Sequence, residues 1–105
     1  MIMRTWRGVA DAGAADDYQR HFETAVIPNL RRLPGHRGAW LLRREAGGRV
    51  EFVAVTLWDS IASVTAFAGD DPEAAHIEPD GRATLVEFDA FARNYAVVCD
   101  TVGSL

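Results

Sequence analysis

The sequence predicts an α+β fold with its elements in the order β-α-β-β-α-β, and three observations carry that expectation. Residues Ile2 to Val9 alternate with the period of a strand. Residues Ala14 to Arg32 switch to a helical period, with Tyr18, Phe22, Val26 and Leu30 on one stripe. Two further strand-like runs then meet at Gly47-Gly48, a pair suited to a tight hairpin turn.

Each element has its own signals. On the first strand Ile2, Arg4 and Trp6 share one side, with Met3, Thr5 and Arg7 on the other. Asp16 and Asp17 open the first helix and Arg31 and Arg32 close it, complementing the helix dipole at both ends. Pro28 has no N–H to donate, which predicts a kink or an early end, and Pro34-Gly35 stops the helix. The hairpin strands span about Arg37 to Glu45 and Val50 to Trp58. Asp59-Ser60 offers an N-cap for a second helix over Ile61 to Ala68, and Gly69 ends it. Asp71-Pro72-Glu73 predicts one short extra helical turn reaching His76, whereas Pro79 to Val86 fits neither period. A last strand is expected from about Asp89 to Cys99, followed by a loose C-terminal tail.

That order is the ferredoxin-like arrangement, a four-stranded antiparallel sheet with both helices on one face. It implies one domain over residues 1–105 with its core in about 1–99. The uncovered face of such a sheet is normally polar. Here Val53, Val55 and Leu57 form one row of the third strand, and Phe52, Ala54, Thr56 and Trp58 form the other. Neither row suits water. The second strand repeats the pattern, with Ala39 and Leu41 opposite Gly38, Trp40 and Leu42. Two apolar faces and helices enough for one predict a two-fold homodimer with sheets packed face to face.

Composition narrows the chemistry. The formal charge is −4, and the eleven cationic residues are dispersed, so no basic stripe suggests a nucleic-acid partner. All eleven are arginine, which excludes lysine Schiff-base and lysine-linked pyridoxal chemistry. A single cysteine, Cys99, excludes an intramolecular disulfide and reads as a small buried hydrophobe. The histidines His21, His36 and His76 lack metal-ligand spacing, so no metal site is expected. No signal-peptide pattern and no membrane-spanning run are visible, and the expectation is a cytoplasmic protein without a membrane partner.

Several stretches resemble small dimeric α/β-barrel proteins of the antibiotic-biosynthesis-monooxygenase type. They are Met1 to Gly8, Leu33-Pro34-Gly35-His36-Arg37-Gly38, Leu41 to Arg44, Thr56 to Ser60, Ala66 to Asp71, and Asn94-Tyr95-Ala96-Val97. The resemblance implies a small-molecule cavity between sheet and helices. It also implies one of several chemistries: cofactor-independent oxygenation of phenols and anthrones, haem degradation, polyketide cyclisation or isomerisation. Thr56, Trp58, Ser60, Ala74, Ala75 and His76 further resemble the haem-degrading branch, which places His76 where that branch keeps its iron ligand. Two departures argue against haem turnover. Trp6 and Arg7 stand where that branch has an asparagine, and Phe67-Ala68 where it has a second tryptophan.

With no cofactor required, the residues suggest a monooxygenase acting on a planar phenolic, quinol or polyketide-like aromatic. His76 is the expected catalytic base, since an imidazole accepts a proton near neutral pH. Trp6, Trp40 and Trp58 are the expected aromatic walls, because a tryptophan in a sheet needs both apolar cover and a partner for its N–H. Arg4, if turned inward, needs an anion, either a carboxylate of the chain or a substrate oxyanion. Asn94 and Tyr95 point to opposite faces of the last strand, and either could bond a substrate oxygen. Relatives often have histidine at the place of Asn94. An isomerase or cyclase using the same cavity, and a non-catalytic small-molecule binder, remain the other readings.

Overall fold

The computed structural model describes residues 1–102. Strand β1 (Ile2–Asp11) is followed by α1 (Ala15–His21), a π-helical turn (Phe22–Val26) and α2 (Ile27–Arg31). Then come β2 (His36–Ala46), β3 (Arg49–Trp58), α3 (Ile61–Ala68), α4 (Pro79–Arg82), β4 (Glu87–Phe88) and β5 (Arg93–Ala96). The sheet is antiparallel in the order β2-β3-β1-β4, with β5 also on β1. This is the expected α+β, ferredoxin-like fold, with helices on one face.

The interruption expected at Pro28 lies just before it. The Ile27 N–H donates to the Phe22 carbonyl, five residues back. That wider turn gives the proline ring room against the preceding turn, so α2 begins with Pro28 in its first turn. Gly47 and Gly48 turn the hairpin at φ 58° and 79°, backbone angles that favour glycine.

Three expectations fail in the second half of the chain. The turn at 71–76 is not helical. The Asp71 side chain accepts the Glu73 N–H at 3.0 Å, and the Asp71 carbonyl accepts the Ala74 N–H at 3.1 Å. Those bonds, which a helix start would also make, close a single turn that does not continue as helix. Beyond it Ala74 bridges Phe91 in antiparallel fashion. The last strand is also not continuous. The fourth place in the sheet is shared by β4, opposite Gly8 and Val9, and β5, opposite Ile2 to Thr5. Sheet pairing ends soon after, at the bond from Val97 N–H to the Met1 carbonyl (3.0 Å). Cys99 therefore lies beyond the sheet and is exposed, not buried as expected. The far end of the expected tail, 103–105, lies outside the described residues.

The inner face of the sheet holds the core. Trp6, Tyr18, Val50 and Phe52 form one buried cluster, and Leu30, Trp58 and Val64 form a second. The opposite face exposes Trp40, Leu42 and Tyr95, with Val53 and Val55 half-buried between them. No helix among the described residues is long and apolar enough to cross a membrane.

Candidate functional site

A crevice opens between the helical layer and the inner sheet face where the two core clusters meet. Register builds its floor: Arg4 pairs with Thr56, and Trp6 with Ala54. Tyr18, Phe22 and Val26, one stripe of the first helix, form the wall above, and Phe67 of α3 closes one end. The space is narrow, about 50 Å³. An outer groove continues past Phe67 and His76 to Asn29 and Arg32.

Arg4 is the most unusual group in it. The residue is only 5% exposed, yet no ion pair joins it to a carboxylate among the described residues. One guanidinium nitrogen donates to the Ala74 carbonyl, the Phe67 ring lies 5.4 Å from the guanidinium carbon, and Nε is buried without a partner. Burial pulls its pKa below the usual arginine value, since desolvation opposes the charged form. Among the described residues, no structural salt bridge satisfies this inward arginine.

The other expected site residues divide between two faces. Trp6 is inward, lines the crevice, and bonds its N–H to the Asp89 carbonyl at 2.8 Å. Trp58 is inward but fully buried behind Phe67, with ring centroids 5.5 Å apart and its N–H on Thr56 Oγ1 at 2.8 Å. It supports the wall without forming it. Asn94 sits opposite Arg4 on β5, donates to the Pro72 carbonyl at 2.8 Å, and leaves its buried Oδ1 unpartnered. Trp40 and Tyr95 face the other way, on the exposed side of the sheet, and do not join the crevice of their own chain.

His76 stands at the mouth, shared by crevice and outer groove. It is exposed, and its ring packs on Phe67 with centroids 4.8 Å apart. His76 is the base expected from the sequence, yet the structure sets His21 deeper. Its side chain is 12% exposed, lines the crevice, and has Nε2 3.8 Å from Glu78 Oε2. A helical residue three places after Tyr18 shares its face, and that spacing was the available signal. Glu78 had none, because the path of a loop fixes its position. Burial pushes the Tyr18 hydroxyl pKa up to about 12, so it stays protonated and can donate. Among the described residues, no group of three or more His, Cys, Asp or Glu side chains could hold a metal ion.

No family model and no curated protein matches this sequence. Solved structures do match. The heme-degrader MhuD from Mycobacterium tuberculosis, with two hemes in its active site, aligns over 96% of this chain and 99% of its own at 23% identity and TM-score 0.66. SnoaB, a cofactor-independent oxygenase from Streptomyces nogalater, aligns over 97% of both chains at 15% identity and TM-score 0.66. A Bacillus cereus protein assigned as an antibiotic biosynthesis monooxygenase aligns over 95% of both chains at 14% identity and TM-score 0.65. At these identities the likeness concerns the fold. The resemblance read from the sequence holds at that level: this chain has the ferredoxin-like fold of the antibiotic-biosynthesis-monooxygenase proteins over nearly its whole length.

Proposed function

We propose that the protein is a cofactor-independent monooxygenase of planar hydroxy-aromatic compounds, working as a cytoplasmic homodimer. Arg4 carries this reading: a buried cation with a free N–H and no carboxylate, in an aromatic-walled crevice, calls for an anionic oxygen from a ligand. A ring lying against Trp6, Tyr18 and Phe67 would set its hydroxyl oxygen on Arg4. Loss of the hydroxyl proton makes the ring electron-rich enough to reduce O₂ in a site with little water. An anthrone then loses two hydrogens at its reactive carbon and gains one oxygen atom. The second oxygen atom leaves as water, so the substrate supplies all four electrons that O₂ takes up. His76, at the mouth, is placed to exchange protons with solvent.

The test is oxygen uptake with 1,8-dihydroxyanthrone after metal chelation and without flavin. One O₂ consumed per quinone formed, above the uncatalysed rate, is expected. Uptake no faster than in buffer, across anthrones and naphthoquinols, refutes it.

A second reading, haem binding, is favoured by His76 itself, whose imidazole makes no hydrogen bond or ion pair with the described residues. His76 would hold the iron, with Arg4 and Arg32 beside the carboxylates, and the group would supply redox chemistry when bound. Haemin titration with His76→Ala as control tests it. A Soret shift lost in the variant supports the reading, and no shift in either protein rejects it.

A further inference from the structure

We infer that His21 and Glu78 form the pair that takes the proton from the bound hydroxyl, with His21 as the base and Glu78 as its positioning residue. The inference rests on the hydroxy-aromatic reading above and adds the proton acceptor. Three observations bring these groups together. His21 lines the crevice that holds Arg4, so a ligand on Arg4 shares a space with its imidazole. The Glu78 carboxylate lies 3.8 Å from Nε2 and is itself held by Asn29, whose Nδ2 donates to Oε1 at 3.2 Å. The backbone of α4 packs close against the ring. A Cβ on Gly81 would come within 2.7 Å of His21 Cδ2 and 2.8 Å of Nε2, so that approach requires glycine.

The chemistry follows from the arrangement. A carboxylate near Nε2 favours the tautomer with its hydrogen there and leaves Nδ1 as the ring's lone pair. At 3.8 Å the pair is not hydrogen-bonded, and its attraction becomes strong only when the imidazole gains charge. Proton transfer breaks the substrate O–H bond and forms an N–H bond on His21, and the electron pair stays on oxygen. The phenolate then rests on Arg4 and the imidazolium on Glu78, so each new charge has an opposite partner. His76 lacks such a partner and is exposed. If Glu78 served only to tie the 78–82 segment to the helical layer, its bond to Asn29 would suffice.

The experiment uses 2-naphthol, whose phenolate form has its own near-ultraviolet band, with the whole protein in neutral buffer, which keeps the free naphthol protonated while an ordinary imidazole can still accept a proton. Wild type should bind it as the phenolate. His21→Gln, which preserves size and a donor toward Glu78, should lose at least about tenfold of the phenolate band, the effect of about one pKa unit on the bound hydroxyl, and bind up to about tenfold more weakly as that form is lost. Glu78→Gln should lower the band partially and serves as the readout if His21→Gln does not fold by circular dichroism. Binding with a full phenolate band in both variants overturns the dyad while leaving the hydroxy-aromatic site in place. Failure of wild type to bind any phenol overturns that reading and the dyad with it.

Discussion

Replacing Arg4 with methionine separates a functional cation from a structural one. The substitution leaves the Ala74 carbonyl without its guanidinium donor, which costs about 1–3 kcal/mol for a buried acceptor. It also removes a buried charge that has no carboxylate partner and an orphan Nε. Replacing buried ionic groups with apolar side chains of similar size is often neutral or stabilising by about 1–4 kcal/mol. Methionine still reaches the Phe67 ring, so packing there survives. The two effects offset each other. With about 4–8 °C per kcal/mol for a domain of this size, the melting temperature should stay within about 8 °C of wild type or rise.

Ligand binding should respond quite differently. A hydrogen bond to a charged donor contributes about 1.5–3 kcal/mol, so the dissociation constant for a phenolate should rise about 10- to 150-fold. Arg4→Lys keeps the charge and loses the planar fork, and should fall between. Thermal melts by circular dichroism and titration with 4-nitrophenol measure both quantities on the same samples. A melting temperature more than about 15 °C lower, with binding unchanged, would show that the guanidinium serves the fold and would remove the main support for an anion site.

The open sheet face predicts assembly: wild type should scatter light as a particle of twice the chain mass, and Trp40→Glu, placing charge on that face, should give monomer. Trp58→Ala should destabilise by about 3–5 kcal/mol through the cavity it leaves, because the ring is fully buried behind Phe67 and not exposed to ligand. Burial without a partner on Nδ1 lowers the pKa of His36, so the unfolded chain binds its proton first. Stability should therefore fall as pH drops below about 6.5, and His36→Leu should reduce that slope in urea melts taken at successive pH values.

Local signals made the fold readable. The stripe of Tyr18, Phe22, Val26 and Leu30, the Gly47-Gly48 turn and the Ser60 cap each act within a few residues, and each appears where expected. Ser60 accepts the Ser63 N–H, as an N-cap should. The site was less readable because face and depth depend on pairing register. Both rows of β2 and β3 are apolar, so pattern alone could not say that Trp58 turns inward and Trp40 outward. Asp71-Pro72-Glu73 is compatible with a helix start and with a side-chain-closed turn, and bonds to residues twenty positions away decide between them. His21 lay beside the readable stripe, but its partner Glu78 comes from a segment without periodicity.

The break in the last strand, which the sequence concealed, builds much of the site. A continuous strand along β1 would use its backbone groups on β1 alone. Here the chain swings out between β4 and β5, and its freed groups turn to the 73–75 segment. The Ala92 N–H donates to the Glu73 carbonyl at 2.8 Å, and the Ala75 N–H to the Ala90 carbonyl at 3.3 Å. Buried backbone polar groups require such partners, so the detour pins that segment to the sheet edge. Pinning fixes the Ala74 carbonyl that receives Arg4 and sets His76, two residues on, at the mouth. The same detour presents the Asp89 carbonyl to the Trp6 N–H, letting an indole line an apolar crevice with its polar edge satisfied. The acceptors of Arg4 and Trp6 and the place of His76 thus depend on one irregularity, and restoring a regular strand there would remove the first two and move the third from the mouth.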